Sequence, residues 1–201
     1  DLASLLHVKA RYSVADFCDQ QDRMDASMFE SCLSTAHRSG VQLLSAPSRL
    51  SDVAKVTPRG VRRALCMARQ STPYVIVDLG QPHRPEHAQA LYLAESVVVA
   101  MCLDFAALRQ AQRIIEYLDD HGVARDRIKL VFNRRGRPGE LRVADVEAAL
   151  GMKAASLLPE DPRRIVAANN QGSPVVEMKP RSRIGRGLFE LARSMNGHVE
   201  N

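Results

Sequence analysis

The sequence lacks the residues and motifs that mark several protein classes. It contains no Trp, and aromatic residues make up only 4% of its 201 residues, so we expect an aliphatic core and few side chains for stacking on nucleic-acid bases. No apolar run approaches the roughly 20 residues that a membrane-spanning helix requires, and no signal peptide is visible. The motifs G-x-S-x-G and G-x-G-x-x-G are also absent, so the sequence does not favour a hydrolase or a dehydrogenase.

Cysteine is scarce and widely spaced. Cys18, Cys32, Cys66 and Cys102 form no C-x-x-C pair, which indicates a reduced, cytoplasmic setting without a disulfide framework or a zinc site. Cys66 and Cys102 lie in apolar stretches, so we expect both in the core.

Acidic residues are fewer than basic ones, which gives a formal charge of +5 and a pI near 9.3. Such a balance permits an anionic partner, whether a nucleotide, a nucleic acid or an acidic membrane surface. It does not choose among these partners, because a mild excess of positive charge is often a solvated surface.

Apolar runs alternate along the chain with amphipathic stretches. This pattern predicts an α/β fold in one domain over residues 1–201, with a mostly parallel sheet and helices on both faces. The predicted strands cover 41–46, 73–78, 96–102, 128–133 and 154–158. Helix starts are predicted at Ser13, with Asp16 in the first turn, and at Thr57-Pro58. The other predicted helices cover 24–37, 85–93, 105–120, 143–150, 162–170 and 183–195.

The run Pro73–Asp78 is the strand on which the functional interpretation depends. It is rich in β-branched residues, as buried parallel strands are, and it ends in a carboxylate followed by Leu79, Gly80, Gln81 and Pro82. An apolar strand, an Asp and a Gly/Pro loop have the shape of a Walker B segment, whose Asp helps to hold Mg²⁺ on a nucleotide. The alternative is that Asp78 only caps a helix or anchors a loop.

Three loops of the predicted sheet end on the same edge. They follow Asp78, Asn133 and Pro159, and ligands of open α/β sheets bind at the carboxyl ends of the strands. The carboxylate suits Mg²⁺, and the Asn amide can both donate to and accept from a purine edge. Together these residues predict a nucleotide pocket.

Several short segments in a fixed order carry a resemblance to a known family. In the segments 132–134, 158–162 and 170–176 the chain resembles the ParA/MinD group of deviant-Walker P-loop ATPases. In the segments 1–6, 43–47, 56–63 and 179–182 it most closely resembles the CpaE/TadZ branch of that group, which helps to place Tad-type pilus machinery at a cell pole. The resemblance covers nearly the whole chain.

The resemblance implies a P-loop NTPase (SIMIBI-like) fold and roles for individual residues. Asp78 would be the Walker B residue, acting on Mg²⁺ through water, and Asn133 would bind adenine with Arg134 beside it. The residues Pro159, Glu160 and Asp161 would line the adenine side. A switch-II-like loop that senses the γ-phosphate would run from Gly80 to Glu86.

The resemblance also implies cofactors and partners. The cofactors would be ATP and Mg²⁺, and the ATP-bound form would be a homodimer. Pilus- or secretion-assembly proteins and a polar factor or membrane surface would be the partners, at the inner membrane or the cell pole, with nucleic acid less favoured.

The chain departs from the family pattern at its N-terminus. It begins with Asp1 rather than Met, and no G-x-x-x-x-G-K-[ST] loop or lysine-first variant is present. We therefore expect that the first strand and the P-loop are missing and that the natural protein is longer at its N-terminus. The chain as it stands should not hydrolyse ATP, because the phosphate-binding loop supplies much of the transition-state stabilisation.

Four alternatives remain open. The segment His83–His87 matches the zinc motif H-x-x-E-H, although Pro85 interrupts the helix that such a site needs. The basic residues around Arg134 and those between Arg163 and Arg186 could bind DNA, as in a partition ATPase, or form a solvated face. The last helix, 183–195, could cover the sheet or dock on a membrane. The protein could also be a non-catalytic scaffold on the same fold.

Overall fold

The chain divides into two compact units. The computed structural model describes residues 2–36, 40–80 and 84–195. One unit comprises residues 1–94 and 169–173, and the other comprises residues 95–168 and 174–201. The prediction of a single domain over residues 1–201 stays a prediction.

The first unit is mainly helical. A T-shaped pair of rings, Phe17 and Phe29 with centroids 5.7 Å apart, lies in its core together with Met24, Cys32 and Ala64. Its elements are α1 (Leu2–Leu5), α2 (Val14–Gln20), α3 (Ala26–Cys32), β1 (Ser34–Thr35), β2 (Gln42–Leu43), α4 (Pro58–Ser71) and α5 (Pro85–Leu93).

The helix starts predicted in this unit are confirmed. Ser13 accepts a hydrogen bond from the Asp16 amide while the Asp16 carboxylate accepts one from the Ser13 amide, so α2 begins with a full capping box. The hydroxyl of Thr57 accepts from the Gly60 amide at 3.1 Å, with Pro58 at the first helical position of α4.

Two elements predicted in this unit are wrong in extent. The predicted helix 24–37 ends at Cys32, and the predicted parallel strand 41–46 is a two-residue strand that pairs antiparallel with β1. The Ala36 amide donates to the Val41 carbonyl across this connection, and Gly40 has a φ of +68°. The chain therefore reverses direction here, which a helical or parallel-strand pattern does not reveal.

The prediction that Cys66 lies in the core is also wrong. Cys66 is exposed on α4 and Cys102 is half-buried, whereas Cys18 and Cys32 are buried. At 3.6 residues per turn, Cys66 lies about 200° around α4 from the buried Ala64, so it faces away from the core.

The second unit is the α/β part of the chain. Its three strands pair in parallel in the order β3-β4-β5, which confirms the predicted α/β fold with a parallel sheet. The strands are β3 (Val97–Met101), β4 (Ile128–Arg135) and β5 (Ala154–Pro159), and the helices are α6 (Phe105–Asp120), α7 (Val143–Leu150), α8 (Pro162–Asn170), α9 (Val175–Met178) and α10 (Arg183–Met195).

Helices cover both faces of this sheet. Val131 and Leu158 of one face pack with apolar residues of α8, α9 and α10 in a single buried cluster. Leu130 and Phe132 point to the opposite face, because successive strand residues alternate, and both are completely buried. On that side α6 packs against β3 and α7.

The last helix covers the sheet, as one of the two alternatives for residues 183–195 predicted. Ile184 and Leu191 of α10 are buried in the cluster that contains Val131 and Leu158. Among the helices that the structure describes, none has the length and apolar character needed to cross a membrane.

Candidate functional site

The ends of β4 and β5 bring five of the predicted site residues to one edge of the sheet. Asn133 and Arg134 lie near the end of β4, which is paired with β5, and Arg135 is in register with Pro159. The amide of Glu160 donates to the Arg135 carbonyl at 2.9 Å, so the loop after β5 is joined to the end of β4. The residues that follow these two strands therefore converge, as expected at the carboxyl ends of neighbouring parallel strands.

Asn133 is held by its own backbone neighbour. Its side-chain oxygen accepts a hydrogen bond from the Arg134 amide at 2.9 Å, and Arg134 adopts a φ of +56°. The Asn133 side chain is half-buried. Because one oxygen lone pair is used locally, the amide NH₂ and the second lone pair are the groups that it can offer to a purine.

The Glu140 carboxylate binds the loop that follows β4, a role that the sequence pattern did not reveal. Glu140 Oε1 accepts from the amide of Gly136 at 2.7 Å and from the amide of Arg137 at 2.9 Å, and Oε2 pairs with the Arg135 guanidinium. Burial raises the pKa of Glu140, but these two amide hydrogen bonds and the Arg135 charge outweigh burial and hold that pKa below its ordinary value. An acidic residue directly after an Arg- and Gly-rich turn was the available sequence signal, because such turns expose amides that bind anions.

A surface cleft of about 310 Å³ adjoins the end of β5. Its lining contains the predicted residues Pro159, Glu160 and Asp161, together with Pro162, Arg163, Arg164 and Arg183. Asn133 and Arg134 are not among the lining residues. Three guanidinium groups against two carboxylates leave the cleft electropositive, which suits an anionic ligand.

Asp161 has a structural role at the start of α8. Its carboxylate pairs with the Arg164 guanidinium at 2.7 Å, and its carbonyl accepts from the Ile165 amide at 3.1 Å. Only 13% of the Asp161 side chain is exposed, whereas 51% of Arg164 is exposed. Arg164 is therefore partly neutralised, whereas Arg163 and Arg183 are exposed cations of the cleft that form no ion pair with another described residue.

Asp78 and Gly80 belong to the first unit, where the predicted buried strand 73–78 is wrong. The segment pairs with no strand among the described residues, and Tyr74 and Ile76 are 65% and 87% exposed. A strand buried on both faces needs neighbours along both edges and cover on both sides, and the described part of the first unit supplies neither. Asp78 and Gly80 are exposed as well.

The metal assignment stays a prediction. The described residues include no group of three or more His, Cys, Asp or Glu side chains that could hold a metal ion. Mg²⁺ is usually held by one or two carboxylates, water and the phosphates of a nucleotide. A single carboxylate such as that of Asp78 is therefore sufficient for the predicted Mg²⁺ ligand.

The predicted switch-II-like loop, Gly80 to Glu86, is described only in part, since Gln81, Pro82 and His83 lie outside the described residues. Glu86 is 7% exposed and pairs with the Arg84 guanidinium at 2.6 Å. This pair stabilises the first turn of α5, where a negative charge also interacts favourably with the helix dipole.

Most cations of the predicted basic group are exposed. Arg135 and Arg164 take part in the ion pairs described above. The exposed members outside those pairs are Arg134, Arg137, Arg163, Lys179, Arg181, Arg183 and Arg186. Their exposure is compatible with a solvated face and with an anionic partner alike.

Comparisons with known proteins agree on the fold. The crystal structure of a ParA family ATPase from Chlorobium tepidum superposes with a TM-score of 0.82 over 92% of this chain and 75% of that protein, at 17% identity. MinD from Pyrococcus horikoshii, solved in complex with Mg-ADP, superposes with a TM-score of 0.79 over 97% of this chain and 78% of that protein, at 18% identity. The chain therefore has the fold of ParA/MinD P-loop ATPases, as its resemblance to that family implied.

Sequence comparison points to the same group. The septum site-determining protein MinD of Thermotoga maritima is 25% identical over 155 residues, which cover 75% of this chain and 56% of that protein. The chain spans 56% to 64% of the length of the first curated relatives that it matches. No protein-family model matches the chain.

Proposed function

We propose that this chain is the nucleotide-binding part of a ParA/MinD-type positioning ATPase of the CpaE/TadZ kind. ATP with Mg²⁺ closes a homodimer, the dimer binds pilus-assembly proteins at the cell pole, and hydrolysis resets it. The observation that carries the proposal is the convergence of Asn133, Arg134 and the Pro159–Asp161 loop at one sheet edge, joined by the hydrogen bond from Glu160 to Arg135. The similarity of the fold to a MinD that binds Mg-ADP supports the choice of ligand.

In this proposal each residue has a defined task. Asn133 offers its amide NH₂ to the adenine ring, and Pro159 presents an apolar surface to the base. Arg163 and Arg183 supply positive charge in the cleft, which would attract the phosphates. Asp78 would hold Mg²⁺, and the ion would neutralise phosphate charge during transfer.

The finer parts of the proposal rest on the resemblance. The segments 43–47 and 179–182 are among those that favour the CpaE/TadZ branch over other ParA/MinD proteins. The curated relatives are named septum site-determining proteins, which supports the broader class of positioning ATPases.

Calorimetry of ATP with Mg²⁺ tests the proposal on the longest natural form of the protein. The variant Asn133→Ala should weaken ATP binding about two- to tenfold, because one net hydrogen bond contributes roughly 0.5–1.5 kcal/mol. The variant Asp78→Ala should weaken binding in Mg²⁺ and have no effect in EDTA. Lys153→Ala is the control, because Lys153 pairs with Glu147 at the opposite end of β5.

The outcomes separate the candidate functions. If the longest natural form does not bind ATP, the nucleotide-switch proposal fails and the non-catalytic scaffold takes its place. A lysine-containing phosphate loop in the longest natural form would favour the nucleotide switch, whereas a degenerate loop would favour the scaffold. If the protein binds ATP and Asn133→Ala binds as tightly as the wild type, the pocket is elsewhere.

The exposed cations are compatible with a third candidate function, that of a DNA-binding partition ATPase. Arg181 and Arg183 are both exposed near the start of α10. A partition ATPase should bind duplex DNA with an affinity that falls steeply with salt, and Arg181→Ala with Arg183→Ala should abolish that binding. DNA binding that the double variant retains would argue against these cations as the contact.

A further inference from the structure

Glu140 is a carboxylate that the proposed nucleotide chemistry does not use, although it lies beside the site. Its side chain is 9% exposed, and each of its oxygens has a partner. Oε1 binds the two successive amides of Gly136 and Arg137, and Oε2 binds the Arg135 guanidinium. Two successive amides that converge on one anion form a nest, and here the chain supplies the anion itself.

Arg135 links this nest to the residues of the candidate pocket. Its guanidinium is held by Glu140, while its carbonyl accepts the Glu160 amide at 2.9 Å. Glu140 and Glu160 therefore hold Arg135 from both sides. The preceding residue, Arg134, has a φ of +56°, a conformation that few residues other than Gly adopt and that needs support from its surroundings.

We propose that Glu140 is a positioning residue: it holds the loop after β4 against the loop after β5, and so fixes Asn133 for adenine over other bases. This inference rests on the proposed function for its ligand. Its structural half, that Glu140 holds the two loops together, does not, because the hydrogen bond from the Glu160 amide to the Arg135 carbonyl can be measured without any nucleotide.

Glu147 provides a matched control within the same unit. Its carboxylate also accepts a backbone amide, that of Ala154 at 2.9 Å, and also pairs with a cation, Lys153 at 2.8 Å. It lies at the amino end of β5, whereas Asn133 and Glu160 lie at the carboxyl end of the sheet. Loss of Glu147 should therefore disturb the same kind of contact away from the pocket.

The first measurement is amide hydrogen exchange of the full chain without nucleotide, with NMR as the readout for each amide. In Glu140→Ala the Glu160 amide should exchange about tenfold faster or more, and the Ala154 amide should be unchanged. Glu147→Ala should give the reverse pattern. Glu140→Gln, which keeps one acceptor oxygen for the two amides, should give an intermediate effect and serves if Glu140→Ala does not fold.

The second measurement is the ratio of ATP to GTP affinity on the longest natural form of the protein. Glu140→Ala should lower this ratio about threefold or more, the factor expected for one misplaced hydrogen bond. The ratio should stay unchanged in Glu147→Ala, and Glu140→Ala should have no further effect on it when Asn133 is already Ala.

These readouts separate failure of the inference from failure of the proposed function. Unchanged exchange at Glu160 in Glu140→Ala would overturn the structural half, whatever the ligand is. An equal loss of ATP and GTP affinity would reduce Glu140 to a structural residue. If the Glu160 amide exchanges faster in Glu140→Ala but the protein binds neither nucleotide, base selection and the proposed function are both overturned. The role of Glu140 in holding the two loops together would still be supported.

Discussion

Gly185 should be intolerant of a side chain, although it lies inside a helix. A Cβ at this position would lie 2.6 Å from the Lys179 carbonyl oxygen and 2.8 Å from the Pro180 carbonyl oxygen. Both neighbours are backbone atoms, so the start of α10 would have to move away from the turn before it. This start also carries Arg183, one of the residues that line the candidate cleft.

The magnitude follows from two opposing effects. Ala is favoured over Gly in a helix interior by about 1 kcal/mol, whereas overpacking costs about 1–3 kcal/mol. Contact with two rigid carbonyls places Gly185→Ala at the upper end of that range, so the net loss in the free energy of unfolding should be roughly 2 kcal/mol.

Gly187 is the control, because it lies in the same helix but faces a flexible side chain. A Cβ there would meet Leu158 Cδ2 at 3.2 Å, and a small rotamer change relieves that contact. The helix preference of Ala should then offset the cost, and Gly187→Ala should stay within about 1 kcal/mol of the wild type.

Urea denaturation of the wild type and both variants measures these differences. We expect a lower midpoint for Gly185→Ala at an unchanged m-value, and a nearly unchanged midpoint for Gly187→Ala. A Gly185→Ala variant as stable as the wild type would refute the close approach of α10 to the Lys179-Pro180 turn.

Two further predictions concern the second unit. Burial raises the pKa of Glu140, but its amide hydrogen bonds and the Arg135 charge outweigh burial and hold the pKa below the ordinary value of 4.5. At Glu147 the hydrogen bonds from Lys153 and Ala154 outweigh burial and lower the pKa in the same way. The stabilisation from both carboxylates is therefore complete above about pH 5 and is lost as pH falls through the lowered folded pKa values. Urea midpoints measured from pH 7 to pH 3 should fall more steeply in the wild type than in the Glu140→Gln, Glu147→Gln double variant, and parallel curves would contradict this. Val131 is 1% exposed in the core cluster, and Val131→Ala should lower the free energy of unfolding by about 2 kcal/mol. Val98 is 41% exposed, and Val98→Ala should change it by less than about 0.5 kcal/mol. Equal losses for the two variants in urea denaturation would contradict the packing of this sheet.

The parts of the fold that the sequence predicts well depend on local signals. The helices 105–120, 143–150 and 183–195 have the predicted bounds, because a helix shows its buried stripe within its own sequence. The strand 128–133 is also found, as part of β4. Its burial follows from having β3 on one side and β5 on the other.

The segment 73–78 shows where the same reasoning fails. Its local pattern is as strand-like as that of 128–133, yet Ile76 is 87% exposed. Whether such a run is buried depends on strands and helices distant in sequence, and a local pattern contains no information about them.

The candidate site was predicted from the sequence in the same partial way. The placement of Asn133 and Pro159 at one edge could be predicted, because the carboxyl ends of neighbouring parallel strands are adjacent. Glu140 was missed because its role depends on backbone conformations, such as the φ of +107° at Gly136, that fold the loop onto its carboxylate. Such a contact depends on loop geometry rather than on periodicity.

Photolabelling with 8-azido-ATP tests the central claim most directly, because the azide reacts with residues next to the adenine ring. The longest natural form of the protein would be labelled with Mg²⁺ present, digested, and its modified peptides identified by mass spectrometry. We expect label in the segments 133–140 and 159–164, and its loss when excess ATP competes. ATP-sensitive label confined to peptides outside both segments would contradict the pocket at the ends of β4 and β5.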